Sequence, residues 1–394
     1  MKVAIGFAES LAAPEAAWSL RDAGHQVVAF TRDGAKPPVR KCRDVELVRV
    51  PRPEDDAERT VGALAEALRR SGADCVLPLD DEAVWVGARL AERHAVRFVG
   101  PTGKHEGLAL DKRTQLGAAE AAGFRVPAAR AFRTADELRA AAAEVEFPAV
   151  VRAARAVDLV DGRLAHPRVA VAADTSELEH ALSSFPPGTP LLVQRWIAGT
   201  SEGFFGLAGG ARVHAPSAHQ RIRMTHPHGS HSSACRARAV DPAVAEAAGR
   251  MVAAAAWRGL FMIELLRDRD GVPWFVELNG RPWGSIALSR RMGFEYPAWA
   301  VAQSIDPAFD VPTPAPRSPV LCRHLGSELL HLLIVLRGKR SRAATTWPSR
   351  GRTAADVLHF SRSDRWYNLR AGERSVFVDD TFHYVAGTML AKVR

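Results

Sequence analysis

Apolar and polar positions alternate along the first hundred residues in blocks that predict strands and helices in turn. Short apolar runs predict strands at residues 2–7, 26–30 and 74–79, and helical spacing predicts helices at residues 14–23, 57–70 and 81–93. A chain that alternates in this way is expected to form a small parallel α/β unit. No Gly-x-Gly-x-x-Gly sequence follows the first strand, so a dinucleotide site is not indicated.

Two later apolar runs, residues 259–266 and 274–279, flank the sequence Arg-Asp-Arg-Asp-Gly and predict a β-hairpin. If the turn lies on its Asp-Gly pair, Glu264 falls directly opposite Glu277. Like charges at paired positions destabilise a sheet by roughly 0.2–1 kcal/mol. Either a bound divalent cation neutralises the two glutamates, or the hairpin is half exposed and water solvates them.

The second strand of this hairpin separates polar from apolar side chains. Because side chains alternate along a strand, Glu277 and Asn279 are expected on one face and Val276 and Leu278 on the other. Carboxylate and amide oxygens are hard ligands that suit Mg²⁺, whereas Zn²⁺ prefers sulfur or imidazole. The polar face therefore predicts a magnesium site.

The sequence after this strand, Asn-Gly-Arg-Pro-Trp-Gly-Ser, resembles the end of the nucleotide site in the ATP-grasp superfamily. Glu264, Glu277, Asn279 and Arg281 match the family's metal and phosphate positions in order. The resemblance implies that the first three hold one or two Mg²⁺ ions on the phosphates of ATP, with Mn²⁺ as an alternative. It also implies that Arg281 faces the γ-phosphate or an acyl phosphate, as the planar fork of arginine suits oxyanions.

Residues 191–202 resemble the family's strand and hinge that bind the nucleoside. The resemblance places Gln194 and Ile197 at the adenine and Glu202 at the ribose hydroxyls. An additional residue before Glu202 leaves Ser201 as the alternative contact to the ribose.

Basic residues resemble the phosphate ligands of the same family. Lys112 matches the first of two expected lysines, and Arg152 stands where the second is usual. Arginine neutralises phosphate through a planar fork instead of a point charge, so the phosphate geometry is expected to differ. Arg221 and Arg223 alternate on one predicted strand face and resemble basic residues directed at a triphosphate or carboxylate.

The segment 219–233 is too polar and too rich in turn residues to form core, and it predicts a loop whose Gly- and Ser-rich part closes over substrate. It contains four histidines, of which His226 and His228 are the closest pair. A zinc site is the alternative, although the run contains no acid or cysteine.

Acidic residues 80–82 follow the predicted strand at 74–79. The carboxyl end of a strand is the usual ligand position in an open α/β sheet. The same residues can instead cap the helix that follows them.

The fold class predicted from these features is α/β, with three parts. An N-terminal parallel α/β domain at residues 1–102 precedes a two-lobed α+β ATP-grasp domain at residues 103–311. Residues 312–394 form a C-terminal extension that can contact substrate through Arg323, His324 or residues 366–367. Within it, residues 326–336 predict an apolar helix that packs on the body or, alternatively, lies on a membrane surface next to the basic residues 339–342.

Composition is consistent with a globular protein of two or three domains, because the 394 residues are 47% hydrophobic and 25% charged. No run reaches the roughly 18 apolar residues needed to span a bilayer, and the first residues read as a strand instead of a signal peptide. Four scattered cysteines favour free thiols in the cytoplasm. The net charge of +9 is better explained by attraction of ATP and carboxylates than by nucleic-acid binding.

The branch of the family that the segments 203–207 and 283–285 resemble is the carboxylate–amine ligases. This resemblance implies an ATP-dependent ligase that joins an acid, such as an amino acid or peptide, to an amine through an acyl phosphate and releases ADP and phosphate. The alternatives are a kinase-like phosphotransferase and a nucleotide-binding regulator without turnover. A homodimer is compatible with each of these functions; binding to nucleic acid or to a membrane is not expected.

Overall fold

The computed structural model describes residues 1–165, 169–227, 229–339 and 347–391. Its first sheet is parallel throughout, in the order β3-β2-β1-β4. The predicted N-terminal α/β unit is therefore confirmed, with β3 as an additional strand that the sequence analysis did not assign. The elements are β1 (Lys2–Gly6), α1 (Ala13–Asp22), β2 (Gln26–Arg32), β3 (Val45–Val50), α2 (Ala57–Ser71), β4 (Cys75–Pro78) and α3 (Asp81–His94).

A second, antiparallel sheet of four strands follows two connecting helices. Its order is β5-β10-β6-β9, and two helices pack beside it over a small apolar core. The elements of this region are α4 (Lys104–Leu110), α5 (Lys112–Ala121), β5 (Ala129–Phe132), α6 (Ala135–Ala140), β6 (Ala149–Ala153), the ribbon β7 (Asp158–Val160) and β8 (Arg163–Ala165), β9 (Val169–Ala172), α7 (Thr175–Leu182) and β10 (Leu191–Arg195).

The third sheet has seven strands in the order β15-β14-β11-β12-β13-β16-β17. Its pairs are antiparallel except β16 with β17. The elements are β11 (Thr200–Gly209), β12 (Arg212–Met224), β13 (Ser232–Arg238), α8 (Pro242–Ala255), β14 (Gly259–Arg267), β15 (Pro273–Asn279), α9 (Ile286–Arg291), α10 (Tyr296–Ile305), β16 (Leu321–Arg323), α11 (Leu325–Arg337), α12 (Arg350–Leu358), β17 (Arg365–Trp366) and α13 (Arg374–Ala391).

The C-terminal extension continues the large sheet, because β16 pairs with β13. Arg323 is buried and binds the carboxylates of Glu328 and Asp364, and His324 contacts Asp380 at 2.9 Å. These side chains hold the extension together, which corrects the expectation that Arg323 and His324 reach a substrate.

The predicted apolar helix is α11, and it packs against α12, α13 and β13. Of the basic residues 339–342 that follow it, residues 340–342 lie outside the described part of the chain. None of the helices that the structure describes is both long and apolar enough to cross a membrane.

Glu15 of α1 joins the first sheet's layer to the rest of the protein. Its buried carboxylate accepts hydrogen bonds from Arg290 at 2.8 Å and Arg291 at 2.8 Å, and from the backbone N–H of Asn368. Burial alone would raise the pKa of Glu15, but the two guanidinium groups outweigh burial and lower it. The carboxylate therefore stays charged and ties α1 to α9 and to the C-terminal extension.

Candidate active site

A cleft of about 1070 Å³ is lined by residues of the second sheet and of the large sheet. Strands β6 and β10 supply one wall, and β11, β12, β14 and β15 supply the other. Most of the residues predicted from the sequence meet here. The lining includes Arg152, Gln194, Ile197, Ser201, Arg221, Glu264, Glu277, Asn279 and Arg281.

The metal hairpin forms with Glu264 directly opposite Glu277, as the sequence predicts. Its loop is one residue tighter than expected, since Arg267 pairs with Pro273, and the register then shifts by one between Glu264 and the next residue. This bulge places Val276 in the lining of the cleft beside Glu277. The expectation that Val276 shares the apolar face with Leu278 was wrong, because strict alternation fails at a bulge.

Glu277 lies between two basic side chains, Lys112 of α5 and Arg152 of β6 in the opposite wall. Its Oε2 accepts hydrogen bonds from Lys112 Nζ at 2.9 Å and from Arg152 Nη2 at 3.0 Å, and Asn279 donates to its Oε1 at 3.0 Å. Burial alone would raise the pKa of Glu277, but Lys112 and Arg152 hold it well below its usual range. Glu277 is therefore a carboxylate at neutral pH.

Glu264 has its own basic partner in the cleft. Arg221 donates to Glu264 through one terminal nitrogen and to the backbone carbonyl of Ser230 at 3.2 Å through the other. The buried Nε of Arg221 has no hydrogen-bond partner within the described chain. Because a buried N–H without an acceptor costs roughly 1–3 kcal/mol, Arg221 is suited to an additional anionic ligand.

Arg281 is held by the N-terminal α/β unit. Its Nε and Nη2 donate to the two carboxylate oxygens of Asp81 at 2.7 and 3.1 Å, and Nη2 also donates to Asn279 Oδ1 at 3.3 Å. Asp81 is the first residue of α3, and the preceding Asp80 caps that helix by accepting from the N–H of Ala83 at 2.7 Å. Capping is thus correct for Asp80, whereas Asp81 binds Arg281, which lines the cleft.

Gln194 and Ile197 both line the cleft, at the end of β10 and just beyond it. Glu202 does not. Its buried carboxylate pairs with Arg238 and with Arg267, which is 3.0 Å away. The assignment of Glu202 to the ribose is therefore corrected, and Ser201, its neighbour on the other face of β11, lines the cleft instead.

Arg223 is also absent from the residues that line the cleft, although Arg221 lines it. One register shift in the pairing of β12 with β13 lies between these arginines, and a second follows Arg223 directly. Arg223 Nε donates to Glu328 of α11 at 3.0 Å, so its charge is neutralised by the C-terminal extension. The expectation that both arginines face one ligand is corrected for Arg223.

The loop between β12 and β13 borders the cleft through residues 226–227 and 229–231. His231 Nε2 lies 2.9 Å from Thr225 Oγ1 and also contacts Tyr384 of α13. Burial lowers the pKa of His231 to about 4, so the imidazole is neutral. No group of three or more His, Cys, Asp or Glu side chains is arranged for a metal among the described residues, and His228 of the zinc alternative lies outside them.

The donor set of the hairpin fits a hard divalent cation bound to phosphates. Glu264, Glu277 and Asn279 place oxygens on adjacent strands of one cleft, and basic groups from both walls contact the two carboxylates. A phosphate-bearing ligand that carries a cation can replace these ion pairs. Its phosphates then bind the basic groups, and its cation binds the carboxylates. The donors on the hairpin are carboxylate and amide oxygens, which suit Mg²⁺ better than Zn²⁺.

Comparison with solved structures identifies similar folds. An L-amino acid ligase from Bacillus licheniformis is 19% identical over 77% of this chain and 74% of its own, with a TM-score of 0.58. The biotin carboxylase domain of a Hydrogenobacter thermophilus 2-oxoglutarate carboxylase, in complex with MgADP, ADP and bicarbonate, is 16% identical over 81% of this chain and 73% of its own, with a TM-score of 0.63.

An ADP complex of purK, an N5-carboxyaminoimidazole ribonucleotide synthetase, is 16% identical over 90% of this chain and 95% of its own, with a TM-score of 0.61. No protein-family model and no curated protein matches the sequence. At these identities the similarity shows the fold, and the predicted ATP-grasp fold with its N-terminal parallel sheet is confirmed. The similar folds include a ligase and a carboxylase, so the fold does not select one reaction.

Sequence reasoning missed the pairing of Asp81 with Arg281, and only a weak signal was available. Residues 80–82 were recognised as a candidate ligand position, but no spacing in the sequence relates Asp81 to Arg281, 200 positions away. Sequence reasoning also left the choice between Ser201 and Glu202 open, and the structure places Ser201 in the cleft.

Proposed function

We propose that the protein is an ATP-dependent carboxylate–amine ligase that forms an amide or peptide bond and releases ADP and phosphate. The observation that carries the proposal is the opposed Glu264–Glu277 pair, which lines one cleft with Asn279 and Arg152 and whose Glu277 also binds Lys112. We propose residues 1–102, 103–311 and 312–394 as its domains. Four buried free cysteines fit a reducing, cytoplasmic setting.

The nucleotide is proposed to lie with its adenine at Gln194 and Ile197 and its ribose at Ser201. Its phosphates reach the hairpin, where Lys112 and Arg152 neutralise them. Glu264, Glu277 and Asn279 would hold Mg²⁺, which would withdraw charge from the phosphates and orient them for transfer. Each of these residues except Lys112 lines the cleft, and Lys112 contacts Glu277 directly.

The proposed reaction proceeds in two steps through an acyl phosphate. The substrate carboxylate attacks the γ-phosphorus, the bond to the β-phosphate oxygen breaks, and ADP leaves. The amine then attacks the acyl carbon, loses a proton and displaces phosphate. Arg221 and Arg281 line the cleft, where they contact Glu264 and Asn279, and are proposed to stabilise the anionic groups. No nucleophile from the protein is required, because the side chains position the substrates and neutralise charge.

The experiment that tests this proposal is ADP release measured over pools of acids and amines, followed by mass determination of the product. A ligase releases ADP only when both an acid and an amine are present, and the product mass equals their sum less one water. Release of ADP with an acceptor but without any amine, together with a phosphorylated product, would instead support the phosphotransferase. Absence of nucleotide turnover with tight MgATP binding would support the regulatory protein.

The assignment of the ribose contact predicts different effects for neighbouring residues. We expect Ser201→Ala to weaken binding of MgADP about two- to tenfold, the scale of one neutral hydrogen bond. We expect Glu202→Gln to leave MgADP affinity unchanged while lowering the melting temperature, because it breaks the pairing with Arg238 and Arg267. Calorimetric titration with MgADP and thermal unfolding separate the two effects, and a larger affinity loss in Glu202→Gln would contradict the assignment.

The role of Arg152 predicts a graded effect on ATP. We expect Arg152→Lys to retain turnover and Arg152→Ala to raise the apparent KM for ATP about 10- to 100-fold, since hydrogen bonds between charged groups contribute roughly 1.5–3 kcal/mol. Arg130→Ala is the matched control, because Arg130 lies on β5 of the same sheet and pairs with Glu144 outside the cleft. Identical kinetics for all three variants and the parent would show that Arg152 does not meet phosphate.

A further inference from the structure

We infer that Asp81 of the N-terminal α/β unit is a positioning residue for the reaction, which holds Arg281 in the orientation required at the transferring phosphoryl group. The inference rests on the proposed function, because it concerns the residue assigned to that group. The Asp81 carboxylate meets Nε and Nη2 of Arg281 at 2.7 and 3.1 Å, which is a bidentate pair. A bidentate pair fixes the plane of the guanidinium as well as its distance.

The remaining hydrogen bonds of Arg281 complete this restraint. Nη2 donates to Asn279 Oδ1 at 3.3 Å, and Nη1 donates to the carbonyl of Pro282 at 3.3 Å. With the two bonds to Asp81, these four contacts leave one of the five guanidinium N–H groups, on Nη1, for a ligand. Arg281 can therefore offer its charge and one directed donor without leaving Asp81.

The same contacts link Asp81 to the proposed metal residues. Arg281 donates to Asn279, and Asn279 donates to Glu277 Oε1 at 3.0 Å. A change in the position of Arg281 would thus alter the hydrogen bonding of the side chains that face the phosphates. Asp81 is well suited to hold this chain, because it begins α3 directly after the cap at Asp80, where the backbone is fixed.

The alternative arrangement is competition, in which Asp81 occupies the fork that should bind phosphate and must be displaced. The two arrangements predict opposite effects of removing the Asp81 charge, so a single substitution distinguishes them.

The first experiment is steady-state ADP release by Asp81→Asn and Asp81→Glu. Positioning predicts that Asp81→Asn lowers kcat on the order of 10- to 100-fold with an unchanged KM for ATP, and that Asp81→Glu recovers part of the loss. Asp22→Asn is the matched control, because Asp22 pairs with both terminal nitrogens of Arg370 and neither residue lines the cleft. An unchanged or increased kcat in Asp81→Asn would overturn the inference.

The second experiment uses MgADP with aluminium fluoride, a mimic of the transferring phosphoryl group, and calorimetric titration of the full chain. We expect Asp81→Asn to bind MgADP with the affinity of the parent. The gain in affinity that aluminium fluoride adds should be about tenfold smaller than in the parent. Arg281→Lys should lose a similar gain, and the double variant should lose little more, since both changes disrupt one unit. Full additivity, or a parent-like gain in Asp81→Asn, would refute the positioning role.

This binding test does not require the acid or the amine to be known. A parent that shows the gain with aluminium fluoride but forms no amide with any acid and amine would contradict the ligase proposal alone. Loss of the gain in Asp81→Asn would still support positioning in that case, because the mimic reports on phosphoryl transfer regardless of the acceptor.

Discussion

Glu277→Gln is expected to abolish nucleotide turnover, with a loss on the order of 1000-fold or more. The substitution keeps the shape of the side chain but removes the charge that the structure places between Lys112 and Arg152. Those two cations would then face each other without a carboxylate, and breaking a buried ion pair costs roughly 3–5 kcal/mol. Because the same charge is proposed to hold Mg²⁺, the metal-bound phosphates would lose both their cation and their alignment.

The measurement is ADP release together with titration of ADP in the presence and absence of Mg²⁺. We expect Glu277→Gln to bind metal-free ADP at least as tightly as the parent, because Lys112 and Arg152 no longer pair with a carboxylate. We also expect the variant to lose the increase in ADP affinity that Mg²⁺ gives the parent. Glu202→Gln is the matched control, because Glu202, like Glu277, is an acid that pairs with two basic side chains, but it lies outside the cleft. Parent-like turnover in Glu277→Gln would contradict the metal assignment.

Arg281→Ala is expected to bind MgATP nearly as well as the parent and to lose on the order of 100-fold or more in turnover. Removal of one donor to a developing anion has an effect of this size in enzymes that transfer acyl groups. The structure adds a reason, because the fork of Arg281 is held by Asp81 and Asn279 and is oriented before any ligand arrives. A preoriented charge stabilises the transition state without reorganisation.

The measurement for Arg281→Ala is the split between the KM for ATP and kcat, supported by direct titration of MgATP analogues. Arg290→Ala provides a comparison, because Arg290 is a buried arginine that pairs with Glu15 outside the cleft. We expect Arg290→Ala to destabilise the protein while its kcat at low temperature stays close to that of the parent. An equal loss of ATP affinity and turnover in Arg281→Ala would show that Arg281 binds ATP in the ground state and does not act selectively on the transition state.

The hairpin shows how far the sequence determines the site. Local alternation and turn chemistry predicted that Glu264 opposes Glu277, and the pairing is confirmed. The tighter loop and the bulge were not predictable. Each shifts the register by one residue, and the two shifts cancel at the glutamates, so that only the position of Val276 differs from the expected hairpin. The shared ATP-grasp fold followed from the resemblance at the same few residues.

The wrong site assignments concern residues whose side-chain orientation depends on partners far away in the sequence. Glu202 and Arg223 are polar residues on predicted strands, and the sequence alone did not show that Arg267 and Glu328 would neutralise them. Asp81 and the strand β16 illustrate the same limit, since each joins elements far apart in the chain. Pairing across such distances is set by how the sheets pack, which local pattern does not encode.

The most direct test of the account is interception of the activated acid by hydroxylamine. The parent enzyme, incubated with MgATP and the acid identified by the ADP-release screen but without the amine, should form the hydroxamate of that acid in step with ADP. Mass spectrometry identifies the hydroxamate, and omission of ATP or acid should remove it. Formation of the amide and ADP with the amine present, but of no hydroxamate under any amine-free condition, would contradict activation of the carboxylate as an acyl phosphate.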